Sequence, residues 1–193
     1  MKTLIIVDPQ YDFIEGGTLP VKGGQQALDN VVEYLKSNKE EIDGVIITVD
    51  WHHYNHCSFK ENGGEWPTHC VQYTKGASIY MPLINCLQYN KIYYRVISKG
   101  FHKTEENYSA FTDCCQCTMM GKSFWELESV NEFSPLIPTE NEIVICGLAG
   151  DVCVLNTMKA IKECSPTLLK SGVACINEQT LDEFINENNI KWI

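Results

Sequence analysis

The chain has 193 residues, a length suited to one domain with a full hydrophobic core, and no linker, repeat or low-complexity tract divides it. Its 25 acidic residues outweigh 15 basic ones for a formal charge of −10, and the lysines and arginines are scattered. That balance argues against nucleic acid and anionic membrane surfaces and for a small-molecule partner.

From the N-terminus, the apolar run Leu4 to Asp8 predicts a buried strand; it is too short for a signal peptide. Between Gln26 and Leu35, Leu28, Val31, Val32 and Leu35 recur at helical spacing. Gly44 to Asp50, Ile92 to Ser98, Glu142 to Leu148 and about Thr167 to Ile176 read as further strands. After Asp151, Val154, Leu155, Met158 and Ile161 mark another helix. Near-continuous apolar strands alternating with helices imply an α/β fold: a three-layer sandwich with a mostly parallel central sheet flanked by helices, as a single domain over 1–193. No segment approaches membrane-spanning length, so a cytoplasmic location is expected. The 10 cysteines then read as reduced thiols, several packed inside strands, among them Cys146 and Cys175.

Parallel sheets bind ligands at the carboxyl ends of their strands, so the polar residues there matter most. Asp8 ends the first strand, Asp50 the second and Lys99 the third, and Gly147 to Cys153 follows the fourth. Within 20 residues Asp50, His52, His56 and His69 gather one acid and three of the 5 histidines. A carboxylate with neutral imidazoles suits zinc, manganese or iron, and three protein ligands leave coordination positions open for chemistry. Cys153 follows a glycine-containing strand-to-helix turn, where a helix N-terminus would favour a thiolate and supply amides for an oxyanion. Each residue alone has an ordinary alternative: a turn-capping Asp8, a solvated Lys99, a packing Cys153. Their convergence on one rim favours nucleophilic catalysis.

These residues resemble the nicotinamidase/pyrazinamidase group of the isochorismatase-like cysteine hydrolases. The likeness rests on Ile6-Val7-Asp8-Pro9-Gln10-Tyr11-Asp12-Phe13, then Gly16-Gly17 and Leu19-Pro20-Val21. Asp50-Trp51-His52, Asn55 to Phe59 and Trp66-Pro67-Thr68-His69-Cys70-Val71 continue it, followed by Lys99-Gly100 and Gly147 to Val154. It spans nearly the whole chain in order. The resemblance implies the isochorismatase-like hydrolase fold and a metal-dependent cysteine amidase converting nicotinamide to nicotinate and ammonia, with pyrazinamide also accepted, in NAD salvage. It implies Cys153 as nucleophile, Asp8 as proton carrier and Lys99 as support for their charges. It further implies an oxyanion hole from the amides of Ala149 and Cys153, with a cis bond between Leu148 and Ala149. One divalent metal, zinc or alternatively manganese or iron, would sit on Asp50, His52 and His69 and hold the pyridine nitrogen directly or through waters. Phe13, Trp66 and Tyr108 would wall the substrate.

The pattern also has departures. His56, a fourth ligand in some relatives, is left unassigned. Tyr73 replaces the glycine usual after Val71-Gln72. Cys114, Cys115 and Cys117 have no counterpart and read as an incidental reduced cluster. The short C-terminus leaves the surface of a homo-oligomer open. Two alternatives stand beside this reading: a metal-independent amidase of the same superfamily acting on an N-carbamoyl or ureido compound, and a non-enzymatic metal or redox sensor built on the cysteines.

Overall fold

A computed structural model describes residues 1–111 and 141–193. Its elements in chain order are β1 (Lys2–Val7), α1 (Gly24–Asn38), β2 (Ile42–Asp50), α2 (Met81–Tyr89), β3 (Tyr94–Lys99), β4 (Glu142–Gly147), α3 (Leu155–Ala160), β5 (Thr167–Val173) and α4 (Glu178–Asn188). The five strands form one sheet in the order β3-β2-β1-β4-β5, every neighbouring pair parallel. Strands added outward to one side give way, at β4, to strands on the other, so the order reverses beside β1. Open α/β sheets bind ligands at such a reversal, outside the carboxyl ends of the strands.

Alternation along β1 explains the three layers. Leu4 and Ile6 join a cluster with Leu28, Val31 and Leu35 of α1 and Leu83 and Leu87 of α2. Ile5 and Val7 point the other way and pack with Val154, Met158, Ile161, Leu181 and Ile185. A strand buried on both faces must be apolar at every position, as this one is over its last four residues. Each such side chain contributes roughly 1.5–3 kcal/mol of burial, so this central strand anchors both halves of the core.

Boundaries differ from the sequence expectation where polar partners intervene. α1 outruns its apolar stripe because exposed Lys36 pairs with Glu33 at 2.7 Å and prolongs the last turn. Ile92 is not in a strand; its amide bonds the Leu87 carbonyl at 2.9 Å and closes the end of α2. β5 stops at Val173 rather than Ile176 because the Asp151 carboxylate takes the amides of Ile176 and Asn177, at 2.9 and 2.8 Å, drawing the chain away from β4. Cys175 therefore lies past the strand and half-buried, whereas Cys146 is buried in β4 as expected. Cys114, Cys115 and Cys117 lie outside the described residues. Among the described residues no helix is long and apolar enough to cross a membrane.

Candidate active site and metal centre

Strand register brings the predicted rim residues to one level. Val7 is opposite both Thr48 and Gly147, and Asp50 is opposite Lys99, so the chain exits from β1, β2, β3 and β4 lie side by side. Asp8 leaves β1 in the left-handed region (φ 47), which Asp tolerates better than most residues, and its amide bonds the Thr48 carbonyl at 3.0 Å. The Thr48 hydroxyl donates to Asp8 Oδ1 at 2.8 Å. Across the switch point, Leu148-Ala149 is a cis peptide, as the resemblance implied. Cys153 follows in a π-type helical turn, Gly150–Val154, that leads into α3. The amides of Val152 and Val154 both bond the Ala149 carbonyl, at 3.1 and 3.0 Å, which folds that turn over the strand end. The amide of Ala149 itself donates to no backbone carbonyl among the described residues.

Lys99 is the junction of the site. Its fully buried ammonium lies 2.8 Å from Asp8 Oδ2, 2.5 Å from Asp50 Oδ1 and 3.5 Å from Cys153 Sγ. Burial pushes the Asp8 carboxyl up, and the Lys99 charge only partly opposes it. For Asp50 burial acts the same way, but Lys99 and His52 outweigh it and hold the carboxyl well below its usual range. Burial alone would lower Lys99, yet Asp50 and Asp8 keep it firmly protonated. One cation thus faces two carboxylates that are shifted in opposite directions.

The thiol corrects one expectation. A helix N-terminus was expected to favour the Cys153 thiolate, but burial pushes this thiol well above its ordinary range and outweighs the attraction of Lys99. Burial thus raises the thiol and the neighbouring Asp8 carboxyl together, which suits a carboxylate that accepts the thiol proton rather than a preformed thiolate.

The metal-ligand candidates converge too. Ligand atoms of Asp50, His52 and His69 lie within 4.8 Å of one another, all buried. His52 Nε2 and His69 Nε2 face Asp50 Oδ2 at 3.6 and 3.8 Å. The other ring nitrogens are tied back: His52 Nδ1 donates to the Gly100 carbonyl at 3.0 Å and His69 Nδ1 to the Pro67 carbonyl at 2.7 Å. This fixes the tautomer that turns both Nε2 lone pairs toward Asp50. His52 Nε2 is buried with no hydrogen-bond partner, a costly state for a polar atom unless an ion takes the lone pair. The donor set, one carboxylate and two neutral imidazoles, fits a zinc-type ion with open positions. Gly100 makes this possible: at φ 63 it packs so close to the His52 ring that a Cβ would clash. His56 lies against His52 at 4.2 Å between ring centroids, and its Nε2 donates to the Glu105 carbonyl at 3.0 Å; with His52 and Glu106 it forms a second group of ligand atoms within 4.8 Å of one another.

One pocket is lined by Asp50 and His69 of the ligand cluster and by Cys153 of the other. Phe13, Trp66 and Tyr108 line it as expected, with Asp50, His69, Ala149 and Cys153 at its base. Trp66 Nε1 donates to the Tyr108 hydroxyl at 3.2 Å, so these two walls brace each other. Leu19, Val21, Glu106, Val152 and Ile176 complete the lining; Leu19, Val21 and Val152 stand in the quoted motifs but were not read as lining, and Glu106 and Ile176 carried no signal. Thr48 was also missed, although a lone hydroxyl inside Val45 to Val49 was a signal for it. Tyr73, where the related pattern has glycine, adopts φ 65, the backbone region that favours glycine.

No family model matches the chain. Individual relatives do. The nicotinamidase of Acinetobacter baylyi is 31% identical over 170 residues, covering 80% of this chain and 71% of that protein. The chain belongs to the nicotinamidase family. Two solved structures agree with it across the whole fold. The pyrazinamidase of Pyrococcus horikoshii in complex with zinc is 29% identical with a TM-score of 0.74, covering 100% of this chain and 98% of that one. PnC1 from L. infantum in complex with nicotinate is 28% identical with a TM-score of 0.77, covering 100% and 92%. The family assignment and the fold therefore stand on independent comparisons of sequence and shape.

Proposed function

We propose that this nicotinamidase-family chain hydrolyses nicotinamide to nicotinate and ammonia, and pyrazinamide likewise, through Cys153, Asp8 and Lys99, in the salvage of pyridine nucleotides. The observation that carries the reading is Lys99, whose ammonium lies against Asp8, Cys153 and Asp50 and so ties the thiol–carboxylate pair to the three-ligand cluster. Neither an isolated redox thiol nor a metal-free amidase needs that coupling.

The steps follow from the positions of the protons. Asp8 accepts the thiol proton as Cys153 Sγ forms a bond to the carboxamide carbon, and Lys99 compensates the charge on sulfur. The oxygen of the tetrahedral intermediate faces the amides of Ala149 and Cys153. Asp8 returns its proton to the amino group as the C–N bond breaks, so ammonia leaves and a thioester remains. Asp8 then takes a proton from water, whose oxygen attacks the thioester, and the departing sulfur regains a proton from Asp8. Asp50, His52 and His69 would hold a divalent ion, which would supply a Lewis acid for the ring nitrogen. Phe13, Trp66 and Tyr108 hold the ring plane so that the carboxamide meets Sγ.

Release of ammonia from nicotinamide tests this, measured before and after chelation and after divalent metal is restored. Metal-dependent release supports it. Absence of release from nicotinamide, with turnover of an N-carbamoyl compound instead, would overturn it.

A further inference from the structure

Two side chains just after Asp8 have no role in the steps above, yet they hold both segments that carry the metal-ligand candidates. Gln10 is fully buried. Its Nε2 donates to the Asp50 carbonyl at 2.8 Å and to the Ala77 carbonyl at 2.9 Å, while its Oε1 accepts the Asp50 amide at 2.7 Å. The carboxamide thus reads both backbone groups of Asp50 at once, and only Gln or Asn offers a donor and an acceptor on one planar group. Asp12, also buried, acts on the other segment: its Oδ2 accepts the Cys70 amide at 2.7 Å and its Oδ1 the Thr18 amide at 3.2 Å. Cys70 directly follows His69 and takes φ 45, so this bond holds a backbone that a non-glycine residue adopts reluctantly. Gly76 leaves room for that carboxylate, since a Cβ there would fall within 2.1 Å of Asp12 Oδ2.

We propose that Gln10 and Asp12 are positioning residues for the metal centre: Gln10 sets the height of Asp50 against Lys99, and Asp12 sets the His69 loop. Because both belong to the segment that begins at Asp8, one short stretch of chain ties the proton carrier to both ligand-bearing segments. The inference rests on Asp50, His52 and His69 being the ligands. Partners that orient ligands typically change metal affinity by about 10- to 100-fold when removed, and that is the effect expected here.

The test is the zinc dissociation constant of purified full-length protein, read by competition with a chromophoric chelator, together with the visible spectrum of the cobalt-loaded form. Gln10→Met keeps side-chain volume and removes all three bonds. It should weaken zinc by about 10-fold or more and alter the cobalt spectrum, while saturating metal restores most of the turnover. Gly76→Ala, which touches no ligand, should do the same by displacing Asp12, and it carries the comparison if Gln10→Met does not fold. Leu35→Ala, on the buried face of α1, controls for stability: it should lower the melting temperature and leave zinc affinity unchanged. Wild-type zinc affinity in folded Gln10→Met and Gly76→Ala would refute the positioning role, as would an equal loss in Leu35→Ala. His52→Ala separates the two levels of argument. If it binds zinc normally, the ligand assignment itself falls and the inference with it; if it loses zinc while Gln10→Met does not, only the inference falls.

Discussion

Lys99→Met is the most revealing single change, because it removes one charge and leaves the stem's volume in place. In the native site that ammonium is the shared partner of Asp8 and Asp50, at 2.8 and 2.5 Å, with all three groups buried. Removing one member of a buried ion pair typically costs about 3–5 kcal/mol, because the remaining charge is left uncompensated. For a chain of this size each kcal/mol moves the melting temperature by about 2–4 °C, so a deficit of about 6–20 °C is expected at pH 8 in chelator-treated protein. The pH dependence carries the sign. In the wild type Asp50 is held well below the ordinary carboxyl range, so its contribution is present above the unfolded value, about pH 4, and is lost only as pH falls through the lower folded value. In Lys99→Met the Asp8 carboxyl loses its counter-charge to burial, which raises it, and Asp50 keeps only His52 and His69 against the same burial, so it rises too. A raised carboxyl is most favourable to folding below about pH 4 and progressively less so as pH rises through its folded value. The deficit should therefore shrink markedly from pH 8 to pH 5 in calorimetric scans, and ammonia release should fall nearly as far as in Cys153→Ala. Equal deficits at both pH values, or melting within about 2 °C of wild type at pH 8, would show that Lys99 is not the counter-charge.

Cys153→Ala should reduce turnover by several orders of magnitude while metal content and folding stay unchanged, and Asp8→Asn in that background should add little, because the two act as one unit. Retention of more than about a hundredth of the rate excludes Cys153 as nucleophile. Benzamide keeps the carboxamide and the ring shape of nicotinamide but lacks the ring nitrogen, so kcat/KM should fall by about 100-fold or more, whereas pyrazinamide should remain a substrate. Equal rates for nicotinamide and benzamide in metal-loaded protein would be incompatible with orientation through the ion site.

What was legible in the sequence was the chemistry that repeats at strand ends. Asp8, Asp50 and Lys99 each terminate an apolar run, and a parallel register must bring such termini to one rim, so their convergence followed from pattern alone. Electrostatic balance was less legible, because it depends on burial from outside the local segment. The turn containing Cys153 signalled a lowered thiol, yet Ile5, Val7 and Val154 belong to the same apolar cluster and raise it instead. The bracing side chains were harder still. Gln10 and Asp12 stood in a recognised motif without a visible task, since their partners Asp50, Ala77 and Cys70 lie 40, 67 and 58 residues away. The same separation accounts for what these side chains achieve. Among the described strands β1 alone pairs with both β2 and β4, so a residue placed just beyond its end can reach the ligand-bearing exit of one neighbour while Asp8 faces the Cys153 turn of the other. With the proposed nucleophile beyond β4 and the proposed ion site beyond β2, the strand between them is placed to supply both the proton carrier and the brace.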